Sequence, residues 1–297
     1  MSSSLAFDFG RNWKAFSAAK VDTQRLQDAT ESLLELTGPN AIGGHSFLDI
    51  GCGSGLFSIA AALCDASEVI GFDISPMAIQ VSQENAERFS GPLASSVCKP
   101  RFCVGNVLDM SFLDQLGVFD VVYAWGSLHH TGAMWQAIRH SAYLVKPETG
   151  TFVVAIYNHH WTSPLWKKVK RVYNLSPGFA RWLLNPFFGA LIYMGVWVTA
   201  RQNPLHKDRG MDFWYDVIDW LGGYPYEYAR VTEVSCFVEQ LGFQLESVVT
   251  PRGGTGCNQF VFRRSDIASH HTGRTTDIEG KDVGGKSQRQ AGKGDQR

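Results

Sequence analysis

The chain has 297 residues, 44% of them hydrophobic, and its 27 Lys and Arg nearly balance its 28 Asp and Glu, giving a formal net charge of −1. This apolar content is enough for a large core and excludes a chain that is disordered throughout. The balanced charge provides no positive excess to hold a phosphate backbone, so no nucleic-acid substrate is expected.

The first half of the chain alternates short apolar strands with helices. Residues 1–45 are predicted to form an N-terminal helical cap, because apolar residues follow a helical period until Gly38-Pro39 ends the segment. Five strands are predicted at 46–50, 68–72, 101–104, 119–124 and 151–156. Their short connections and the helices between them predict a parallel, doubly wound sheet over residues 46–157.

The alternation stops after the fifth strand. Residues 158–230 are rich in aromatic residues, with two predicted helices at 165–173 and 179–200, and we interpret them as a helical insertion that forms a substrate lid. The alternative is that its aromatic side chains form a small core of their own. A helix and two strands return over residues 231–264, the C-terminal part of the core sheet. Residues 265–297 are polar and lack a hydrophobic period, which predicts a disordered tail.

The strongest motif is a glycine turn after the first strand, in FLDIGCGSGLFSIAA at residues 47–61. Gly51, Gly53 and Gly55 allow the backbone to fold tightly and to approach a ligand, and the helix that follows favours anionic groups at its N-terminus. A dinucleotide fold has the spacing G-x-G-x-x-G, whereas this chain has G-x-G-x-G with Asp49 two residues ahead. A carboxylate there suits the amino group of a cationic, amino-acid-like ligand, which favours S-adenosylmethionine (SAM) over NAD.

A second carboxylate, Asp73, follows the second strand. An acid in this place accepts hydrogen bonds from both ribose hydroxyls of a nucleotide. A charge-assisted hydrogen bond of this kind contributes roughly 1.5–3 kcal/mol. The alternative is that Asp73 only caps the helix that begins at Ser75-Pro76, but the glycine motif beside it favours the nucleotide interpretation.

These residues resemble class I SAM-dependent methyltransferases, clearly over Phe47–Ile156 and in topology over residues 243–262. The resemblance implies that the glycine turn binds the methionine part of SAM and that Asp73 binds its ribose. The family usually has an Asp at the adenine amine, whereas this chain has Asn106, and Asp109 is the competing candidate. The residues assigned to the cofactor through the resemblance are Asp49, Gly51, Cys52, Gly53, Gly55, Asp73, Ile74, Asn106, Val107, Trp125 and, from the N-terminal segment, Trp13.

The segment AWGSLHH at residues 124–130 resembles the ubiquinone-type small-molecule O-methyltransferase branch in particular. In that branch the turn after the fourth strand lies beside the cofactor and faces the substrate. We therefore predict a Rossmann-like α/β fold. Its doubly wound sheet has seven strands with the last one antiparallel, and a helical cap and lid insertion accompany it.

Methyl transfer from a sulfonium needs an aligned nucleophile, and a hydroxyl or ammonium acceptor also needs a base with a pKa near 7. His129 and His130 are the candidate bases, because they follow the fourth strand and histidine titrates in the useful range. Tyr157, after the fifth strand, is a third candidate catalytic residue, and His159 and His160 are candidate substrate contacts. The alternative is that these side chains hydrogen-bond local turns or face solvent. No metal ligand is assigned, since adjacent histidines on a regular element point apart.

We therefore expect a SAM-dependent methyltransferase, with S-adenosylhomocysteine (SAH) as product, acting on a nucleophilic O, N or S atom of a small-molecule acceptor. One alternative is an enzyme for a lipid-like, membrane-associated acceptor, and another is a non-catalytic SAM-binding regulatory module. Peripheral membrane contact would involve residues 166–200, where a basic amphipathic stretch precedes the apolar run 186–200. That run is too short to span a bilayer comfortably.

The cysteines and the N-terminal sequence bear on location. The six cysteines include no C-x-x-C pair, and several fall inside predicted strands or helices, so we interpret them as reduced thiols. The N-terminal residues lack the charged-then-apolar pattern of a signal peptide. Both observations predict a cytoplasmic protein, whereas the sequence does not define its oligomeric state.

Overall fold

The computed structural model describes residues 21–93, 98–200, 213–251 and 256–265, together with Gly10, Ser17 and Ser96. Trp13 and the predicted tail beyond Ser265 lie outside the described residues. The described ranges form one mixed sheet with helices on both faces, and a group of additional helices follows the fifth strand.

The strands within the described residues are β1 (Ser46–Ile50), β2 (Glu68–Asp73), β3 (Arg101–Val104), β4 (Val121–Trp125), β5 (Thr151–Tyr157), β6 (Phe243–Val249) and β7 (Cys257–Arg264). They form a seven-stranded sheet in the order β3-β2-β1-β4-β5-β7-β6. Strands β1 to β5 are parallel to one another, whereas β7 is antiparallel to both β5 and β6. The predicted Rossmann-like doubly wound sheet is thus confirmed. Its order reverses between β1 and β4, the place where open α/β sheets bind ligands at the carboxyl ends of their strands.

The helices connect these strands in the expected alternation. Within the described residues they are α1 (Thr23–Thr37), α2 (Leu56–Leu63), α3 (Pro76–Arg88), α4 (Ser90–Leu93), α5 (Met110–Leu113), α6 (Met134–Tyr143), α7 (Ser163–Leu175), α8 (Gly178–Ala200), α9 (Phe213–Gly222) and α10 (Val231–Glu239). A single 3₁₀ turn, Leu128–His130, follows β4.

Local capping explains where two of the helices begin. Asp22 starts α1 by accepting a hydrogen bond from the Arg25 N–H at 2.9 Å, and Gly38 ends the helix with a φ of 95°. Ser75 starts α3 by accepting from the Ala78 N–H at 3.3 Å, and Pro76 occupies the first turn, where a missing N–H is tolerated.

The core divides between the two faces of the sheet because alternate strand residues point to opposite sides. Leu48 and Phe152 are fully buried in the cluster that α6 and α10 cover. Their chain neighbours Phe47 and Val153 are fully buried in the second cluster, which α1 and α2 cover. Both faces of the central strands β1, β4 and β5 are therefore buried, and a ligand site is expected at the carboxyl ends of the strands.

The insertion after β5 has a small core of its own. Tyr173, Phe213, Val217 and Leu221 are buried together, and partly buried side chains of α8 pack against them. The two predicted insertion helices appear as α7 and α8, each slightly longer than predicted, and α9 is a third helix that the sequence analysis did not predict. Part of the aromatic set thus holds the insertion together, as the alternative interpretation expected.

Candidate active site

The glycine turn joins the carboxyl ends of β1 and β2. The N–H groups of Gly51 and Cys52 donate to the carbonyl oxygen of Phe72 at 2.8 and 3.1 Å. The N–H of Gly53 donates to Oδ2 of Asp73 at 3.2 Å. The turn is therefore held against the strand that carries the second predicted carboxylate.

Two of the three glycines occupy places where a side chain has no room. Gly51 has a φ of 75°, and a Cβ there would overlap the side chain of Ser127, which follows β4. Gly55 has a φ of 74°, and its Cβ would lie 2.8 Å from Cβ of Ser82 on α3 and 2.9 Å from the ring of Phe102 on β3. Only glycine combines this conformation with so close an approach.

Asp49 is a buried acid at the base of this turn. Its carboxyl is 4% exposed and accepts a hydrogen bond from the Ser58 Oγ at 2.7 Å. The pKa of Asp49 is raised from 3.8 to about 7, mainly by burial and in smaller part by the nearby charge of Asp73, against the opposing effect of the Ser58 hydrogen bond. A cationic group beside Asp49 would favour its ionised form, so the position fits the ammonium of an amino-acid-like ligand.

Asp73 combines both roles that the sequence analysis considered. Its Oδ1 accepts from the Ser75 N–H at 2.8 Å at the start of α3, while its Oδ2 accepts from the glycine turn. Burial raises the pKa of Asp73, and these backbone hydrogen bonds oppose the rise. Gly10 lies against the same helix start, because a Cβ on Gly10 would overlap Oγ of Ser75.

The predicted adenine contacts differ in their surroundings. Ile74 is 68% exposed beside Asp73, whereas Val107 is buried in the core cluster below α6. Oδ1 of Asn106 accepts from the Leu108 N–H at 2.9 Å, which leaves one lone pair of that oxygen for a further donor. The competing Asp109 caps α5 by accepting from the Ser111 N–H at 3.0 Å.

The two remaining predicted cofactor residues flank the turn. The indole N–H of Trp125, at the end of β4, donates to Oε1 of Gln259 on β7 at 3.0 Å. Cys52 is buried, and burial together with the charges of Asp49 and Asp73 holds the pKa of its thiol well above the usual range. Cys52 therefore stays a neutral thiol.

The predicted catalytic residues form a buried cluster at the ends of β4 and β5. The ring of His129 is 1% exposed and lies 4.0 Å from the Tyr157 ring and 4.4 Å from the His130 ring, measured between centroids. Both ring nitrogens of His129 are buried without a well-formed hydrogen bond among the described residues, and the Ala155 backbone is close enough to act on the pKa of the ring. Nδ1 of His130 lies 2.8 Å from the carbonyl oxygen of Pro225.

Both imidazoles are neutral at physiological pH. Burial lowers the pKa of His129 well below 6.5, and the charges of His130 and Lys170 lower it further. Burial and the charge of Lys170 lower the pKa of His130 to about 3, against the hydrogen bond to Pro225. Each ring therefore has a free-base form that can accept a proton, but burial and Lys170 both disfavour the imidazolium.

Lys170 on α7 is a member of this cluster that the sequence analysis missed. It is fully buried, and its Nζ lies 5.3, 4.4 and 4.7 Å from the ring centroids of Tyr157, Trp220 and Tyr226. The Nζ also donates to the carbonyl oxygen of Trp220. In the sequence it is only one member of the basic amphipathic stretch that begins at residue 166. The spacing of Trp166, Lys170 and Tyr173 was the available signal, because it puts all three on one side of the helix.

The sequence analysis also missed two polar residues of α3 whose role depends on which face of the helix is buried. Oγ of Ser82 donates to the Gly53 carbonyl oxygen at 3.0 Å, and Nδ2 of Asn85 donates to the Ser54 carbonyl oxygen at 2.9 Å. Both side chains are buried and lie three residues apart, so they share the face of α3 that meets the glycine turn. They fix carbonyl groups that would otherwise be buried without partners.

The second histidine pair has separate surroundings. The ring of His159 lies 5.5 Å from that of Tyr228, while Nδ1 of His160 lies 2.7 Å from Oγ1 of Thr162. In the described part of the chain, no group of three or more His, Cys, Asp and Glu is placed to hold a metal ion. None of the helices that the structure describes is long and apolar enough to cross a membrane.

The family comparison covers more than half of the chain. The model of the methyltransferase domain family matches residues 43–207. The ribosomal protein L11 methyltransferase of Laribacter hongkongensis is 43% identical over 82 residues, 28% of this chain and 25% of that protein. The same enzyme of Photobacterium profundum is 56% identical over 45 residues, 15% of each chain. The chain thus spans a quarter or less of the length of these curated relatives.

Solved structures share the fold. The magnesium protoporphyrin IX methyltransferase of Synechocystis PCC 6803 with bound SAH has a TM-score of 0.52 at 18% identity, covering 86% of this chain and 94% of that one. PKMT2 of Rickettsia typhi in complex with AdoHcy has a TM-score of 0.53 at 13% identity, covering 81% and 53%. An O-methyltransferase family protein of Burkholderia thailandensis has a TM-score of 0.52 at 14% identity, covering 85% and 59%.

The sheet order and the glycine turn agree with the family match. The sheet has seven strands, of which β7 is antiparallel to its neighbours. The glycine turn and the two carboxylates that flank it lie inside the matched range 43–207. The chain therefore belongs to the methyltransferase domain family.

Proposed function

We propose that this enzyme transfers the methyl group of SAM to a nucleophilic O, N or S atom of a small-molecule acceptor. The observation that supports the proposal is the glycine turn. Its Gly53 N–H donates a hydrogen bond to Asp73, and the buried Asp49 lies two residues before the turn begins. Two acids beside a tight turn suit a ligand with an ammonium at one end and a ribose further along. The family resemblance of the sequence to small-molecule O-methyltransferases supports the acceptor class.

The cofactor side of the site is assigned residue by residue. Asp49 would bind the ammonium of the methionine part, and the backbone of the glycine turn would lie along that part. Asp73 would accept the ribose hydroxyls with the lone pairs that Ser75 and Gly53 leave unused. Ile74 would cover one face of the adenine, and Oδ1 of Asn106 would accept a hydrogen bond from the adenine amino group. Bound SAM supplies a methyl group that its sulfonium already activates.

The acceptor side lies at the ends of β4 and β5. His129, His130 and Tyr157 form one buried cluster, and α7 covers it with Lys170. The methyl donor is already activated, so the protein mainly has to align the acceptor and keep water away from it. Burial of this cluster would exclude water. The neutral ring of His129 would offer the acceptor a hydrogen-bond donor and a hydrogen-bond acceptor, whereas its lowered pKa makes it a poor base for a hydroxyl proton.

Calorimetric titration with SAM, SAH and NAD tests the cofactor assignment. We expect both sulfur compounds to bind and NAD not to bind. Asp73→Ala should weaken SAM binding about 10- to 100-fold, because the ribose loses hydrogen bonds to a charged group. Asp28→Ala is the control, since Asp28 is a carboxylate within α1 that accepts a hydrogen bond from Gln24. Unchanged SAM affinity in Asp73→Ala would contradict the assignment.

The acceptor class is tested by product formation. Small-molecule extracts, protein extracts and RNA are each incubated with the enzyme and isotopically labelled SAM, and labelled products are separated by mass spectrometry. We expect SAH to accumulate with the small-molecule fraction. Label that appears only in protein or RNA would overturn the small-molecule proposal while leaving SAM binding intact.

A further inference from the structure

The outward side of α8 is an apolar surface that no other described residue of the chain covers. Phe179 and Trp182 are 74% and 73% exposed, and the same side continues to the end of the helix. We call this surface the α8 face. Its exposed large side chains are Phe179, Trp182, Leu183, Phe187, Leu191, Met194, Trp197 and Val198.

The folding of the insertion accounts for the other side of α8. Leu184, Phe188 and Ile192, spaced by four residues, pack against the cluster that contains Phe213 and Val217 of α9. The α8 face points away from that cluster. Monomeric soluble proteins rarely expose apolar patches larger than a few hundred Å², and larger ones mark interaction sites.

Charge identifies the kind of partner. Residues 149–207 contain no Asp or Glu but seven Lys and Arg, in a chain whose formal net charge is −1. Lys167, Lys168 and Arg171 of α7 are exposed, immediately before the α8 face begins. A basic, acid-free segment next to an apolar face is complementary to a surface that is apolar inside and anionic outside.

The aromatic residues agree with such a surface. Trp161 is 82% exposed, and Trp182 and Trp197 are also exposed. Indole rings are enriched at the boundary between lipid headgroups and acyl chains, because they have an apolar body and a polar N–H. A symmetric pair of chains is a poorer match, since a two-fold interface through this patch would bring its basic side chains together.

We propose that the α8 face, together with the basic residues of α7, binds the surface of an anionic lipid bilayer. The helix would lie in the plane of the membrane, with its aromatic side chains among the headgroups and Lys167, Lys168 and Arg171 on the anionic lipids. Because α7 also supplies Lys170 to the His129–Tyr157 cluster, the bound enzyme would hold its acceptor site close to the lipid. The inference goes beyond methyl transfer and does not depend on which acceptor is used.

Vesicle sedimentation of the full chain tests the proposal. We expect binding to vesicles that contain phosphatidylcholine and phosphatidylglycerol, weaker binding as salt is raised, and little binding to phosphatidylcholine alone. The double variant Trp182→Ser with Phe187→Ser should bind at least about tenfold less tightly, because two apolar anchors are lost. The control is Tyr143→Ser with Val118→Ser, which removes two exposed side chains at the opposite, amino-end edge of the sheet.

The charge contribution has its own matched pair. Lys168→Gln should weaken binding to the anionic vesicles about fivefold, as one basic residue near the membrane contributes about that factor. Lys99→Gln removes an exposed lysine before β3 and should leave binding unchanged. SAM affinity of every variant is measured alongside, which separates loss of the membrane surface from loss of the fold.

Three results would overturn the proposal. The first is absence of binding to either kind of vesicle. The second is equal binding to both kinds without salt dependence. The third is a lipid-free dimer, seen by sedimentation equilibrium, that the Trp182→Ser and Phe187→Ser double variant dissociates, because the α8 face would then join two copies of the chain.

Discussion

Asp49 is a carboxyl group buried at the end of β1, with Ser58 as its hydrogen-bond donor. Its pKa of about 7 against 3.8 means that the folded chain holds a proton between about pH 4 and pH 7 that the unfolded chain has lost. Stability should therefore fall as pH rises through this window and be level above it. We expect Asp49→Asn to remove this dependence and to be more stable than the parent chain at about pH 8, by on the order of 3 kcal/mol. Urea unfolding at about pH 5 and about pH 8 measures the difference, and parallel pH profiles would contradict it.

The same carboxyl should link cofactor binding to proton release. An ammonium placed beside Asp49 favours the ionised form, so the pKa of Asp49 falls when SAM binds. We expect SAM binding at about pH 6 to release a proton. Calorimetric titration in buffers with different ionisation enthalpies measures this release, and Asp49→Asn should abolish it. Equal release by both proteins would place the ammonium elsewhere.

Lys170 should set the protonation of His130. Its charge is the second cause, after burial, of the low pKa of His130. Lys170→Met should therefore raise the pKa of His130, although burial still holds it below the ordinary value. Titration of His130 by NMR measures the change, with Lys170→Arg as the variant that retains the charge and Lys167→Met as an exposed control on α7. A pKa of His130 that is the same in Lys170→Met and Lys170→Arg would show that the lysine charge does not act on it.

At the residue scale, the sequence predicted which residues form the glycine turn, but not the side chains that support it. The glycines lie in a contiguous motif, so their proximity follows from spacing alone, and their roles toward a cofactor stay a prediction. Ser82 and Asn85 depend on which face of α3 meets the turn, and Lys170 depends on where a helix outside the motif is packed. Such contacts between distant segments have no local pattern, apart from polar residues at helical spacing on an otherwise buried face.

At the scale of elements, the glycine turn depends on contact between the ends of β1 and β4. Gly51→Ala introduces both an unfavourable φ and an overlap with Ser127. We expect it to destabilise the fold by roughly 2–4 kcal/mol and to weaken SAM binding at least about tenfold. Gly117→Ala is the matched control, because Gly117 has a φ of 78° but open space around it, and it should be destabilised by only about 1 kcal/mol.

Urea unfolding measures the stability of the two variants, and calorimetry measures their SAM affinity. The comparison separates the cost of the unfavourable φ, which both variants have, from the cost of the overlap with Ser127, which only Gly51→Ala has. Equal losses of stability in Gly51→Ala and Gly117→Ala would show that the contact with Ser127 is not limiting. A normal SAM affinity in Gly51→Ala would show that the cofactor does not depend on the shape of this turn.

The strands and most of the helices were predictable because their apolar patterns are local. The predicted fourth strand began at Phe119, whereas β4 begins at Val121, since Phe119 forms only an isolated bridge with Val145. The helix α9 was missed, although Phe213, Val217 and Leu221 recur every four residues and face the insertion core. Its aromatic composition suggested irregular structure, and only the packing against α7 and α8 shows the helix.

At the scale of the whole molecule, the carboxyl-end edge of the sheet has two halves. The cofactor half is built by β1, β2 and β3 with α3, and the acceptor half by β4 and β5 with the insertion. Ser127 bridges the halves, because its Oγ donates to the Ile50 carbonyl oxygen at 2.7 Å. Under the proposed function, the first half would hold the cofactor and the second half the acceptor. The cofactor was predictable because its proposed residues form a contiguous motif, whereas the insertion contains no such motif.

Two described residues ahead of α1, Ser17 and Val21, connect the N-terminal segment to α3 in the cofactor half. Oγ of Ser17 donates to Oδ1 of Asn85 at 2.6 Å, and Asn85 in turn holds the Ser54 carbonyl oxygen of the glycine turn. Arg88 strengthens this connection, since its Nη1 donates to the carbonyl oxygens of Ser17 and Val21 at 3.2 and 2.8 Å. Gly10 lies against Ser75, beside Asp73. Segment and turn should therefore respond together when the connection is weakened.

Arg88→Met removes both hydrogen bonds to the segment while retaining an unbranched side chain. With about 1 kcal/mol for each hydrogen bond, local opening of the segment should become at least about tenfold more frequent. Hydrogen exchange of the peptides around Ser17 measures the opening, and SAM should slow that exchange less in the variant. SAM affinity should fall severalfold with it, whereas Arg139→Met, on α6, should change neither quantity. Faster exchange with an unchanged SAM affinity would mean that the segment packs on α3 without contributing to the cofactor site.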